Sequence, residues 1–195
     1  MRWFIGFVVA IVVFILIYLG SAASSLSKLV AAARAGDGAA VIELTDVPAL
    51  SRSLTNQIVA AYLERIGATR RIGPMEKMLI NTYGTTIADA MVARMLTADK
   101  LTQILKTGNL NGASDAPNIA GLPALADLHA ENWGSLLGRL SIVQPVLLAI
   151  RVSKTSDPDS YAAVNLHYQD FGWKLSGIVL PKAAVRELAA SLPVK

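Results

Sequence analysis

The sequence predicts an α+β protein held by an N-terminal transmembrane helix. Three observations carry this: an uncharged apolar run at the start, helical periodicity in the middle, and period-two alternation near the end. Between Arg2 and Lys28 no residue is charged, and Trp3 to Leu19 is almost wholly apolar. At about 1.5 Å per residue that run reaches roughly 26 Å, and the small residues Gly20 to Ala23 can extend it across a ~30 Å hydrocarbon core. Trp3 and Tyr18 sit near its two ends, where amphipathic rings favour the headgroup layer.

The run exceeds the 7 to 15 apolar residues of an ordinary signal core, although Ser21-Ala22-Ala23 has the small residues of a cleavage site. The expectation is therefore a retained anchor over residues 1–23 and a single domain over 24–195. With no cysteine in the chain, a lipoprotein signal is excluded. Arg2 lies on one side of the span, Lys28 and Arg34 on the other. With so short a tail before the span, the expected orientation is N-terminus in and C-terminal domain out. Absence of cysteine suits an extracytoplasmic domain that relies on its core.

Residues 24–108 read as a helical half of four to five helices. Leu26, Leu29, Val30 and Ala33 continue the first helix on one face, and Gly36 ends it at Ala35. Asp37 caps a short helix with Val41, Ile42 and Leu44, and Pro48 opens a longer one with Leu50, Leu54, Ile58, Ala61 and Tyr62 on its face, broken over Gly67 to Pro74. Met75, Leu79, Tyr83, Ile87, Met91 and Met95 then recur four apart, a stripe expected to pack into the domain's own core. Thr97 opens a last short helix ending at Gly108.

Residues 109–123, rich in Gly, Asn, Ser, Asp and Pro, read as a surface loop. The strand half with its terminal helix follows over 124–195. Trp133 to Arg139 fits a short helix or a strand. Val146, Leu148, Ile150 and Val152 share a strand face, Tyr161 to Gln169 alternates, and Gly172 to Leu180 follows a tight turn in which Gly172 is expected to take the positive φ. The expectation is a three- to four-stranded antiparallel meander, with a helix over Lys182 to Ser191 covering the sheet.

No catalytic set is legible. His129-Ala130-Glu131 has the spacing of zinc deaminases without their Cys-x-x-Cys, and His129 and His167 lack further ligands at metal-binding spacing. There is no nucleophile elbow and no phosphate-binding glycine loop, so no enzyme activity, metal or cofactor is expected. His167, with Asn165 on the same strand face and Asp170 near, is the candidate pocket set; Tyr62, Tyr83, Trp133 and Trp173 read as core aromatics. The net charge of +4 is spread out, and its densest patch, Arg65, Arg70, Arg71 and Lys77, reads as a solvated helix end rather than a nucleic-acid surface.

Tyr18, Ser21, Ala32, Gly36-Asp37, Leu44, Asp46, Pro48, Leu50 and Leu54 together resemble the bacterial family known as domain of unknown function 2939. Weaker similarity runs through Ile87-Ala88-Asp89, Leu96-Thr97, Gly172-Trp173-Lys174-Leu175 and Leu180-Pro181. Two departures are Ser21-Ala22-Ala23 in place of Ser-Pro-Tyr, and an arginine at position 52 rather than directly after Leu50. The resemblance implies a single-span protein of unassigned biochemistry and carries over no catalytic residue. The anchor together with the lack of a catalytic set leads to the expectation of an inner-membrane protein whose exported domain binds an envelope protein or assists a membrane complex. Ala35-Gly36-Asp37 and Gly172-Trp173-Lys174 are also similar to the opening helix and last strands of nuclear-transport-factor-2-like α+β cones, a fold that hosts both enzymes and passive binding modules; a small-molecule or lipid pocket between sheet and helices is the alternative expectation.

Overall fold

In the computed structural model the first helix, α1, runs unbroken from Arg2 to Ala35. The structure describes residues 2–71, 73–107, 140–144, 146–152, 160–170 and 172–190. The expected loop over 109–123, His129-Ala130-Glu131, Trp133 to Arg139, Gly108 and Pro145 lie outside them.

Gly36 stops α1 as its composition requires. It takes φ +76°, its N–H donates to the Ala33 carbonyl at 3.2 Å, and the Asp37 N–H donates to Ala32 at 3.0 Å. The Asp37 carboxylate accepts from the Ala40 N–H at 3.0 Å and starts α2, Gly38–Glu43. Asp46 accepts likewise from Ala49 and, with Pro48 in the first turn, starts α3, Val47–Thr69. The break falls within the expected stretch Gly67 to Pro74, past Gly67 itself, since a glycine in the last turn weakens a helix by only about 1 kcal/mol. Arg70, in extended conformation, is the actual stop.

The segment expected as one long helix is three pieces: α4 (Pro74–Leu79), a π turn (Ile80–Gly84) and α5 (Thr85–Met95). The four-spaced stripe does not enter the core, contrary to the reading of its period. Met75, Leu79, Tyr83 and Ile87 are exposed, Met91 alone packs partly against the core, and the Met95 side chain lies outside the description. The inward line runs one residue later, through Ile80, Gly84, Ala88 and Val92, about 100° round the helix. Ala88 and Val92 are buried where α5 packs on α3, and there the Thr55 hydroxyl donates to Asp89. α6 follows over Ala98–Thr107 and packs on α1 and α2.

Four antiparallel strands, β1 (Leu140–Gln144), β2 (Leu147–Arg151), β3 (Ala163–Gln169) and β4 (Gly172–Val179), form a meander in chain order. The left-handed residue of the β3–β4 turn is Asp170, φ +51°, and not Gly172. Aspartate tolerates that conformation by hydrogen-bonding locally. Leu148, Ile150, Leu166, Trp173 and Leu175 on one sheet face meet Leu26, Leu29, Leu50, Ile58 and Leu101 from the helices, all nearly fully buried.

The last helix, α7, spans Lys182–Ala190 and buries Ala184, Val185, Leu188 and Ala189. It was expected over the sheet; it packs instead chiefly on α3. β4 ends alongside α3, where the Gln57 amide donates to the Ile178 carbonyl at 2.7 Å and accepts from the Leu180 N–H at 3.0 Å. Pro181 therefore delivers the chain to α3 rather than back across the sheet.

Candidate functional site

Among the described residues two places stand out, and α1 leads to the first. Its residues Trp3 to Ile17 are exposed on all sides, and burial begins only at Tyr18. From Tyr18 to Ser21 the helix meets the sheet. The Trp173 Nε1–H donates to Ser21 Oγ at 2.9 Å, and the Ser21 hydroxyl donates to the Tyr18 carbonyl at 2.8 Å. The Tyr18 ring stands edge-on to Trp173 with centroids 5.0 Å apart, and Tyr168 packs edge-on to the same indole at 5.3 Å. Three aromatic rings and one serine thus clamp the helix to β3 and β4 where its exposed stretch ends.

The second place is the outer face of α4, the π turn and α5. Met75, Met78, Leu79, Tyr83 and Ile87 are exposed there, and α4 has no buried residue. A run of large apolar side chains left in water is the informative departure from ordinary burial. Arg70 pairs with Glu76 at its edge, and Arg71 and Lys77 are solvated beside it, as read from the sequence.

His167 and Asn165 lie half-buried on the sheet face opposite the helix-packed Leu166. His167 stands across from Leu147 and Lys174, and Asn165 across from Ala149 and Gly177. Asp170, at the turn, sits 3.7 Å from the Lys174 ammonium. Of the aromatics expected in the core, Trp173 is buried, Tyr62 packs partly on the core and Tyr83 is in solvent; Trp133 lies outside the described residues. Among the described residues no three histidines or carboxylates gather as a metal site. An open groove of about 400 Å³ between α3 and α7 is lined by Ala61, Glu64, Arg65, Ala68, Arg186 and Ala190. Arg65 there reaches the Ala189 carbonyl at 3.4 Å, at the C-terminal end of α7, where a cation is favoured.

The sequence did not announce Tyr168 or Gln57 as contacts, and it placed Trp173 in the core without its partner. A signal for the clamp was present: Tyr18, Ser21 and Trp173 are all among the residues that carry the family resemblance, although Trp173 is 152 positions from Ser21.

Residues 11–104 match the model of a family described as protein of unknown function, DUF2939. The match begins inside α1 and ends in α6, so it takes in the later part of the apolar stretch, the junction at Tyr18 and Ser21, and most of the helical half. No curated protein and no solved structure matches the chain.

Proposed function

We propose that this chain, whose helical half is a DUF2939 region, is a single-span protein of the bacterial inner membrane. Its extracytoplasmic domain binds another protein of the envelope and has no catalytic role of its own. The anchor reading is supported by α1, which is long and apolar enough to cross a bilayer and has none of its most apolar stretch buried against the domain. Such a helix in a soluble protein would be packed inside it.

The observation that carries the binding role is the apolar face of α4 and α5. Methionines adapt to a partner's shape, and Tyr83 adds a rigid amphipathic ring of the kind enriched at interfaces. Starting at Pro74, past the C-terminal end of α3, that face runs along α5 to the level of Thr55, whose hydroxyl bonds Asp89. A neighbouring protein presenting an apolar helix is the partner that fits it. The pocket alternative draws no support from the sheet–helix interface, which is filled by leucine, isoleucine and Trp173.

Photo-cross-linkers at Met78 and Tyr83 in native membranes test the reading, with Arg186 on α7 as control position. The expected outcome is one protein adduct, formed from the apolar face and lost on Leu79→Asp. Recovery of the monomer alone, or equal adducts from Arg186, would count against it. Labelling a single introduced cysteine with a membrane-impermeant maleimide fixes the side on which the domain lies.

A further inference from the structure

Among the described residues beyond α1, the exposed large apolar side chains fall into two groups. One is the α4–α5 face. The other is Val143 (55% exposed), Val146 (43%) and Tyr168 (38%), all at one end of the sheet. Contacts connect that end directly to the anchor. Tyr18, where α1 leaves its fully exposed stretch, packs on Trp173, and Trp173 packs on Tyr168. The Tyr168 N–H then donates to the Val146 carbonyl at 2.9 Å. Gln144 pairs with Leu147, so Val143 and Val146 flank the β1–β2 turn, while Gln169 pairs with Gly172 across the β3–β4 turn. Both hairpin turns therefore emerge at the level where α1 exits its apolar span.

We propose that this sheet end rests in the headgroup layer of the same membrane that holds α1, with Val143, Val146 and Tyr168 as its contacts. The inference rests on the anchor reading. The chemistry fits the layer: an amphipathic tyrosine ring suits the boundary between chains and headgroups, and two valines add shallow apolar area. Polar Gln169 and the Asp170–Lys174 pair occupy the adjoining turn, as a zone that is half water requires. Two attachments, the span and the sheet end, would fix the domain's tilt and hold the α4–α5 face at a set orientation to the bilayer.

The absence of cysteine makes the test direct. Full-length variants Val143→Cys, Val146→Cys, Val12→Cys and Arg186→Cys, each carrying a bimane label, are reconstituted in phosphatidylethanolamine–phosphatidylglycerol vesicles. Quenching by headgroup-nitroxide lipid, deep-nitroxide lipid and aqueous iodide is compared. The labels at 143 and 146 should lose roughly half their emission to headgroup-nitroxide lipid and be shielded from iodide, with position 12 quenched by the deep probe and 186 by iodide. If position 12 responds to the deep probe while 143 and 146 behave as 186 does, the sheet-end contact is overturned and the anchor stands. If position 12 shows no lipid quenching, the anchor reading falls and the contact with it. The labelled sites are exposed and outside the core, and a thermal melt unchanged from the unlabelled chain confirms that each variant is folded.

Discussion

Trp173 joins the apolar helix to the sheet by packing and by one directed bond. Its indole is nearly fully buried between Tyr18 and Tyr168, and its only polar atom is satisfied by Ser21. Trp173→Phe keeps most of the packing and removes the bond, so it should cost about 1 kcal/mol, whereas Trp173→Ala should cost ~3–5 kcal/mol. Chemical denaturation of the detergent-solubilised protein measures both. Gly177 makes a sharper case. A Cβ there would lie 2.9 Å from Ser53 Oγ and 3.2 Å from Asn165 Nδ2. Gly177→Ala should therefore destabilise by roughly 1–3 kcal/mol, and adding Ser53→Ala, which removes the nearest atom, should recover part of that loss. Strict additivity in this double-mutant cycle would show that α3 yields to the strand without strain.

At the scale of elements, β4 would offer a free edge to other chains were it not covered. The Thr45 backbone bridges Leu175 in parallel, with Asp46 donating to the Leu175 carbonyl and Leu175 donating to Leu44, each at 2.8 Å. Further along, the Gln57 amide stands in for a peptide group. Edges covered in this way do not recruit strands from other molecules. The π turn has the opposite effect, since it helps leave α4 outside the core. Deleting Thr82 should turn it into ordinary α-helix and rotate α4 by about 100° relative to α5. Because α4 buries nothing, the melting temperature should move by only a few degrees, while cross-linking from Met78 should be lost. A large loss of stability instead would show that the π turn is held by the core.

These elements also mark where the sequence could be read. Capping residues with a single local consequence, Gly36 and Asp37, identified the end of α1 and the start of α2. Alternation in β3 told Leu166 from His167 by burial. The stripe from Met75 misled because spacing of four fits two adjacent lines on the helix, and the line through Ala88 and Val92, not the more apolar one through Met75, is the one buried against α3. The site of α7 depends on Gln57 bonding 121 residues away, which no local pattern encodes. For the pocket set, the sequence placed His167 and Asn165 on one strand face, as they are, whereas Asp170 lies beside Lys174, four residues on across the turn.

For the whole molecule, α1 is both the proposed span and a core element, since Leu26, Leu29, Val30 and Ala33 are buried in the domain. Cleavage near Ala23 would leave those residues in place but remove Tyr18 and Ser21 from the clamp. A chain beginning at Ser24 should consequently expose Trp173 and be less stable than the full chain by ~1–3 kcal/mol, as read by denaturation and by tryptophan emission.

The central claim is that the apolar half of α1 stays attached and crosses the bilayer, and extraction of native membranes at high salt and alkaline pH tests it most directly, with N-terminal sequencing of the recovered protein. Burial of a span is hydrophobic and insensitive to ionic strength, so a full-length chain, retaining Trp3, should stay in the pellet until detergent is added. A soluble chain beginning near Ser24, or an intact chain released by the wash, would contradict it.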